Sequence, residues 1–233
     1  MPSTKTTPKA EETGIRILDA ALTLFRQEGF DKATMRDIAE KAGVATGAAY
    51  YYYPSKDAIV MAFYERSCAE MQPKIEAALE QVTTLEHRLR ELIRVKLIHF
   101  APDRRVLRAL LRNGADPQYP LSPFSVETRE IRDIDIAWFR RILVDCGMRI
   151  PRDLAPHLPG VLWLFQMGVI FFWVIDDSPN QARRRPELLD GHPVLRLCRP
   201  AGRPEVVHGS RLLARERTSD RRPNEERRAQ HEK

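Results

Sequence analysis

Apolar side chains recur three or four positions apart along most of the chain, and the alternation typical of strands does not appear. This spacing predicts a first helix up to Gly29, a long helix from Lys56, and further helices that end near Pro102, Gly114 and Gly147. The sequence therefore predicts an all-α fold. The apolar stripes are, in chain order, Ile15, Leu18, Leu22 and Phe25; Ile59, Ala62, Phe63, Ile75, Leu79 and Val82; Leu85, Leu89, Leu92, Leu97 and Phe100; Val106, Leu107, Leu110 and Leu111; and Ile131, Ile134, Trp138, Ile142 and Cys146.

Two of the predicted helices depart from a simple amphipathic pattern. Pro73 lies inside the long helix and is expected to kink or split it, because proline lacks the N–H that bonds to the preceding turn. The segment from Leu154 to Ile175 is apolar all round. Its most apolar stretch, Val161 to Ile175, contains Gln166 and is shorter than the roughly 20 residues that a membrane span needs. We expect this helix to be covered on one side by its own domain and on the other by a partner subunit.

Residues 34–57 have the pattern of a helix-turn-helix. Thr34 and Asp37 stand three residues apart, as in a capping box that starts a helix. Gly43 then stands where a helix must stop and turn, since glycine adopts the left-handed conformation without a Cβ clash. Small Ala39, one turn earlier, allows two short helices to cross closely. The apolar positions that would face each other are Ile38, Ala42, Val44, Ala49 and Tyr52.

Four of the six tyrosines form one run at the end of this segment, from Tyr50 to Tyr53. Four phenols are too many to bury in one turn, because each buried hydroxyl needs a hydrogen-bond partner. We therefore expect Tyr52 in the core, Tyr53 closing the helix against Pro54, and Tyr50 and Tyr51 facing water or a polar ligand. An ordinary helical hairpin in a core is the alternative. Small residues beside the tyrosines, namely Thr46, Gly47 and Ala48, allow close approach to a duplex and favour nucleic-acid binding.

The net charge of +6 does not add to this prediction. Residues 182–233 hold 13 Arg and one Lys against eight acidic residues, whereas residues 1–57 balance eight against eight. The basic excess thus belongs to the C-terminal segment, where prolines recur at 186, 193, 200 and 204. We interpret this segment as a disordered basic tail that adds non-specific DNA affinity, or as the product of a shifted reading frame.

The first residues and the cysteines of the chain lead us to expect a cytosolic protein. Residues 1–10 are polar, are expected to be disordered and carry no apolar signal segment. The three cysteines are widely spaced, which favours free thiols in a reducing compartment over a zinc site or disulfides. We expect no membrane contact and no cofactor.

The helix-turn-helix residues resemble the TetR-type (tetracycline-repressor-like) transcriptional regulators. The resemblance is carried by Thr34-x-x-Asp-Ile-Ala-x-x-Ala-Gly-Val and Gly47-x-x-Tyr-x-Tyr-Tyr-Pro-Ser-Lys-Asp. It implies a DNA-binding domain over residues 11–57, a ligand-binding and dimerisation domain over 58–181, and an irregular tail over 182–233. It also implies a homodimer on a palindromic double-stranded DNA operator. By the resemblance, Thr46, Gly47, Ala48 and Tyr51 meet base edges, and Thr34, Tyr50 and Lys56 fix phosphates.

Two features differ from the common family pattern. Ala45 stands where a serine or threonine usually caps the recognition helix, and Thr46 stands where lysine is frequent. The tail offers a proline-broken segment where the family places a final dimer helix.

A small-molecule effector is expected among the C-terminal helices, and the long helix from Lys56 to Val82 is the expected lever that passes its signal to the DNA-binding domain. The candidates are mostly apolar, as ligand pockets tend to be, and each could instead simply fill the core. An aromatic or lipophilic effector that releases a repressor fits this lining. The candidate residues are His99, Phe100, Tyr119, Phe124, Trp138, Trp163, Gln166 and Met167.

Two other classes of function remain as alternatives. An enzyme is disfavoured because no nucleophile triad, phosphate loop or metal cluster is visible, and the histidines are scattered. A DNA-binding-impaired relic or a protein-interaction module is suggested by the altered C-terminus.

Overall fold

The chain forms a succession of helices from Pro8 to Asp176, the residues that this computed structural model describes. Within this range there is no strand, which agrees with the all-α prediction. The predicted tail, residues 182–233, lies outside the described residues. The α-helices are α1 (Pro8–Gln27), α2 (Met35–Ala42), α3 (Thr46–Tyr52), α4 (Lys56–Glu80), α5 (Leu85–Phe100), α6 (Arg104–Leu110), α7 (Arg129–Asp145) and α8 (Leu158–Ile175), and short 3-10 turns at Ala101–Asp103 and Leu111–Asn113 flank α6.

Helices α1–α3, which we call the head, enclose a small apolar core. Ile17 and Phe25 of α1 are fully buried in it, whereas Ile15, predicted on the same face, is 54 % exposed. The buried stripe runs through Gly14, Ile17, Leu18, Ala21 and Leu22. Because successive residues are about 100° apart around a helix, Ile15 lies at the edge of this stripe. Helix α1 begins at Pro8, so residues 8–10, predicted to be disordered, are helical.

One continuous helix, α4, leads out of the head. It runs for 25 residues with Pro73 inside it, so of the two expected effects of Pro73, a kink or a split, the split is wrong. Proline removes the hydrogen bond to the carbonyl of Ala69. Both Ala69 and Pro73 are exposed, so water can reach the carbonyl that loses this bond. Ser55 starts the helix by accepting a 3.1 Å bond from the backbone N–H of Ala58.

Helices α5–α8 and the C-terminal half of α4, which we call the body, enclose a second apolar core. Phe139, Ile142 and Leu143 form the buried face of α7. Ile134, predicted on that face, is 51 % exposed, because the inward stripe continues through Asp135 instead. In α1 and in α7 the periodicity therefore located the buried face to within one residue.

Helix α8 is apolar all round, but the monomer covers only part of it. Trp163, Gln166, Trp173 and Val174 are buried in the body. By length and composition alone α8 could cross a membrane, with a mean hydropathy of 2.0, and 28 % of the helix is buried. It contacts α7, and its buried Gln166 accepts a hydrogen bond from Lys96. The exposed large apolar residues are Val161, Leu164, Phe171, Phe172 and Ile175.

Helix α6 joins the two cores. Val106 and Leu110 are buried in the head core, whereas Leu107 is buried in the body core. Beside α6, Arg26 of α1 forms a two-pronged salt bridge with Asp103, with distances of 2.6 and 3.0 Å. The hydrogen bond to Asp103 raises the pKa of Arg26. The short α6 is thus in contact with both halves of the described chain.

Candidate nucleic-acid interface and effector cavity

The turn between α2 and α3 is fixed by the predicted caps. The Thr34 hydroxyl accepts a bond from the Asp37 backbone N–H at 3.2 Å, and the Asp37 carboxylate accepts one from the Thr34 N–H at 2.9 Å. The Thr34 hydroxyl also donates to the Asp37 carboxylate at 2.7 Å, and this bond and the one from the Thr34 N–H lower the pKa of Asp37, because they stabilise its ionised form. Gly43 has φ +66°, the left-handed conformation that the turn requires. The geometry fixes the direction in which α3 leaves the turn.

Helix α3 buries one side and exposes the other. Ala49 is fully buried in the head core together with Ile38 and Ala39, and small side chains here let the two helices approach closely. On the opposite side Tyr50 is 50 % exposed and Tyr51 is 84 % exposed. Thr46 and Gly47 are also exposed, and Ala48 is half-buried. This exposed side is the face predicted to meet DNA.

The remaining two tyrosines hold α3 in place. Tyr52 packs against the head core, and its ring meets that of Tyr51 edge-on at 5.4 Å. The Tyr53 hydroxyl donates to the backbone carbonyl of Gly14 at 3.2 Å, which ties α3 to α1. Burial raises the pKa of Tyr53. The division of the tyrosine run into supporting and exposed members agrees with the sequence prediction.

Lys56 points into the head, although the resemblance to the family assigned it to a phosphate. Its ammonium donates to the carbonyl of Phe30 at 2.7 Å and lies 4.6 Å from the centre of the Phe30 ring. A second, longer bond of 3.4 Å reaches the carbonyl of Asp31. The head is therefore less cationic at this surface than the lysine count suggests.

The N-cap of α3 is Ala45, and no side chain caps this helix, so Thr46 does not replace the missing cap.

Two cavities meet inside the body. The inner chamber, of about 120 Å³, is mostly apolar and lies between α4, α5, α6, α7 and α8. The outer groove, of about 600 Å³, lies between α4 and α7. Five residues line both cavities and form the wall between them. They are Cys68, Met71, Lys96, Ile131 and Asp135.

The structure brings together about half of the predicted effector residues. Phe100, Trp163 and Met167 line the inner chamber, and Trp138 lines the outer groove. Four others line neither cavity. Phe124 stacks edge-on against Trp163 at 5.5 Å, Tyr119 packs against the head core, His99 meets the Phe100 ring at 5.1 Å, and Gln166 is buried behind the wall.

A buried polar cluster, missed at the sequence level, stands at the wall between the cavities. The Lys96 ammonium bonds to Asp135 at 2.5 Å and to the side-chain oxygen of Gln166 at 2.8 Å. The Gln166 amide donates to the other Asp135 oxygen at 2.8 Å. Lys96 is only 2 % exposed. Its position on the apolar stripe of α5, four residues after Leu92, was the available signal.

Cys68 stands beside this cluster. Burial raises the pKa of the Cys68 thiol, so the reactive thiolate is disfavoured. Among residues 8–176, no group of three or more His, Cys, Asp or Glu side chains is placed to hold a metal ion.

Comparisons with known proteins agree with this architecture. The sequence model of the family described as bacterial regulatory proteins, tetR family, matches residues 17–63. A second model, described as the tetracyclin repressor-like C-terminal domain, matches residues 88–186. The chain belongs to the TetR family. The TetR family and its relatives are transcriptional regulators rather than enzymes, in agreement with the sequence prediction.

Individual TetR-family proteins match the chain over different lengths. The transcriptional regulator SrpR of Pseudomonas putida is 47 % identical over 58 residues, which are 25 % of this chain and 27 % of SrpR. The curated relatives that this chain matches first are each covered over less than half of their own length.

Two solved structures share the fold at low identity. The regulator FadR of Bacillus subtilis, in complex with stearoyl-CoA, has a TM-score of 0.60 at 19 % identity, over 79 % of this chain and 96 % of FadR. A transcriptional regulator of Saccharomonospora viridis, in complex with choline, has a TM-score of 0.56 at 17 % identity, over 77 % of this chain and 94 % of that protein.

Proposed function

We propose that this protein is a ligand-responsive, DNA-binding transcriptional repressor of the cytoplasm. It acts as a homodimer on a palindromic operator and is released by a small lipophilic or aromatic effector. The observation that carries the proposal is the exposed face of α3, on which Tyr50 and Tyr51 stand outward from a helix fixed by a capped turn. Such a helix fits the major groove of double-stranded DNA.

The proposed DNA contacts divide between bases and phosphates. Thr46, Gly47, Ala48 and Tyr51 meet base edges, and Tyr50 bonds to a phosphate. The predicted phosphate contacts of Thr34 and Lys56 contribute less in this proposal, because the Thr34 hydroxyl already donates to Asp37 at 2.7 Å and the Lys56 ammonium is held by the Phe30 carbonyl.

The proposed dimer uses the uncovered side of α8. Phe171 and Phe172 are each about half exposed on a helix whose other side is buried. A contiguous exposed apolar surface of this kind is typical of an interface with another protein. A second subunit would place the two heads about one helical turn of DNA apart, roughly 34–36 Å.

The proposed effector signal passes through α6. Leu107 and Leu111 line the inner chamber, whereas Val106 and Leu110 are buried in the head core. A ligand that fills the chamber and displaces Leu107 must therefore also shift the head-facing side of the same short helix. Closely packed cores transmit such shifts because they do not deform continuously.

The chemical class of the effector is inferred from the side chains that line the inner chamber of this chain. The structural relatives hold ligands as different as stearoyl-CoA and choline, so the fold does not select one class. The inner chamber is walled by Phe100, Leu107, Trp163 and Met167, which favours a lipophilic or aromatic group.

A gel-shift assay on the DNA upstream of the protein's own gene tests the proposal. Tyr50→Ala should weaken binding to all sequences, because a phosphate contact carries no base information, whereas Thr46→Ala should alter base preference. Val126→Ala, at a 79 % exposed position in the body, is the control and should change neither. The opposite pattern for the two head variants would refute the proposed docking.

The missing side-chain cap of α3 favours one second candidate, a DNA-binding-impaired relic or a protein-interaction module. An N-cap is worth about 1 kcal/mol to a helix. Ala45→Ser restores the cap, so a sequence-specific shift by this variant but not by the unaltered protein would support the relic.

A further inference from the structure

We propose that the effector carries a positive charge, which sits in the outer groove, and an apolar part, which enters the inner chamber. The proposal names the ligand of the body and rests on the proposed function only for the ligand's effect on DNA binding. The outer groove is about five times as large as the inner chamber, about 600 against about 120 Å³, and the two share a wall. The two cavities therefore adjoin along these shared residues, and the proposed ligand passes between them, with its charge on one side and its apolar part on the other.

The two halves of the site differ in polarity. The inner chamber is enclosed mainly by aliphatic and aromatic side chains, and the guanidinium of Arg132 at its edge is held by the carbonyls of Pro123 and Ser125 at 2.8 and 3.0 Å. The outer groove is lined by five carboxylates and only two cationic side chains. The polarity thus changes along the site at the wall formed by Lys96 and Asp135.

Both cationic side chains of the groove already have acidic partners. Lys96 bonds to Asp135 at 2.5 Å, and Arg141 lies 3.6 Å from Glu76. Three carboxylates of the groove lining remain, namely Glu65, Glu127 and Glu130. In the described part of the chain none of these three forms an ion pair. An anionic ligand would meet this excess of negative charge, whereas a cation would neutralise it.

The wall of the groove also contains an aromatic surface suited to a cation. Trp138 lines the groove, and the Arg141 guanidinium lies 5.4 Å from the centre of its ring. Aromatic rings attract cations through the negative potential of their faces. On the other side of the groove Met61 and Ile75 of α4 provide apolar surface for the part of a ligand next to its charge.

Three soluble probes that share one chain length test the charge directly. Octyltrimethylammonium, 1-octanol and octanoate differ only in their head group, and binding to the full chain is followed by calorimetry and tryptophan fluorescence without DNA. We expect the cation to bind at least about tenfold more tightly than the other two probes, because only the cation is attracted by the groove carboxylates and by an aromatic ring. Raising the salt from about 0.1 M to about 1 M should remove most of this preference, since the Debye length falls from about 10 to about 3 Å.

A pair of groove variants locates the charge. The double variant Glu65→Gln/Glu130→Gln should weaken octyltrimethylammonium binding about fivefold, because two exposed negative charges are removed. The affinity for 1-octanol should not change, because glutamine has nearly the same size as glutamate. Glu80→Gln, at an exposed acid on the same helix α4 outside the groove lining, is the matched control and should leave cation binding unchanged.

Equal binding of the three probes, tighter binding of octanoate, absence of binding of all three, or an unchanged cation affinity in the double variant would overturn the assignment. These outcomes are independent of the proposed function, because no DNA is present. If the cation binds as expected but leaves the gel shift unaltered, the charge assignment stands and the effector role fails.

Discussion

The buried Lys96–Asp135 pair yields the sharpest stability prediction. Asp135→Leu should destabilise the protein more than Lys96→Met, although each removes one member of the same pair. The reason is unequal burial, since the side chain of Lys96 is 2 % exposed and that of Asp135 is 21 % exposed. A charge left without its partner costs more where water cannot reach it.

The expected magnitudes follow from what each remaining group contacts. After Asp135→Leu the ammonium retains only the Gln166 oxygen and the Phe139 ring, 5.9 Å away, and the loss should be about 3–5 kcal/mol. After Lys96→Met the carboxylate retains the Gln166 amide and partial hydration, and the loss should be about 2–3 kcal/mol. The double variant leaves no buried charge but removes both partners of the buried Gln166 amide, and it should lose clearly less than the sum of the two single variants.

Urea unfolding at one fixed protein concentration measures these differences, with midpoint and slope both recorded. Asp133→Ala provides the control on the same helix, because its partner Arg129 is 3.8 Å away and both side chains are more than 60 % exposed. The control should cost less than about 0.5 kcal/mol. The reasoning is refuted if Lys96→Met proves the worse single variant, or if the double variant equals the sum of the two.

Four further outcomes are expected. Gly47→Ala should leave the thermal midpoint unchanged or higher, because a Cβ there meets nothing within 4 Å, yet it should weaken the gel shift by crowding the DNA face. Gly43→Ala should lower the free energy of unfolding by about 1–2 kcal/mol, since φ is +66° there, as a thermal melt would show. Arg26→Gln should cost about 2 kcal/mol in urea by leaving the nearly buried Asp103 without its cation. Burial lowers the pKa of His99, so the unfolded chain binds a proton at this histidine more readily than the folded chain does. The free energy of unfolding should therefore fall as the pH drops below about 6.5. His99→Gln should flatten this dependence in thermal melts recorded at a series of pH values.

The head was predictable because its signals are local. The capping box needs only Thr34 and Asp37 three residues apart, and the turn needs only one glycine, Gly43. The outward direction of Tyr50 and Tyr51 followed from the number of phenols in one helical turn. Errors of one residue, as at Ile15, arose because apolar residues at the edge of a stripe have the same chemistry as those at its centre.

The cavity lining was not predictable to the same degree. Lys96 meets Asp135 and Gln166 only because three helices bring together residues 39 and 70 positions apart, and no local pattern records such a contact. Apolar residues that line a chamber, such as Met167, and those that fill a core have the same periodicity along a helix. The polar residue inside an apolar stripe, here Lys96 on α5, is the feature that marks such a place in a sequence.

The contacts of α6 favour this short helix over α4 as the lever of the proposed switch. With only seven residues, α6 is too short to be stable alone, so its position is set by what it touches. Arg105 bonds to the carbonyl of Gln27 at the end of α1, at 3.0 Å. Arg104 bonds to the carbonyls of Trp173 and Val174 near the end of α8, at 3.1 and 2.8 Å.

Helix α6 is therefore bonded at once to the head and to the helix proposed for the dimer, while Leu107 faces the chamber between them. A ligand needs to change the balance between two positions of α6 by only about 1–3 kcal/mol to alter DNA affinity measurably. That range equals the loss of one or two of these hydrogen bonds. This path requires no change of shape at Pro73 in α4, which is continuous through that residue.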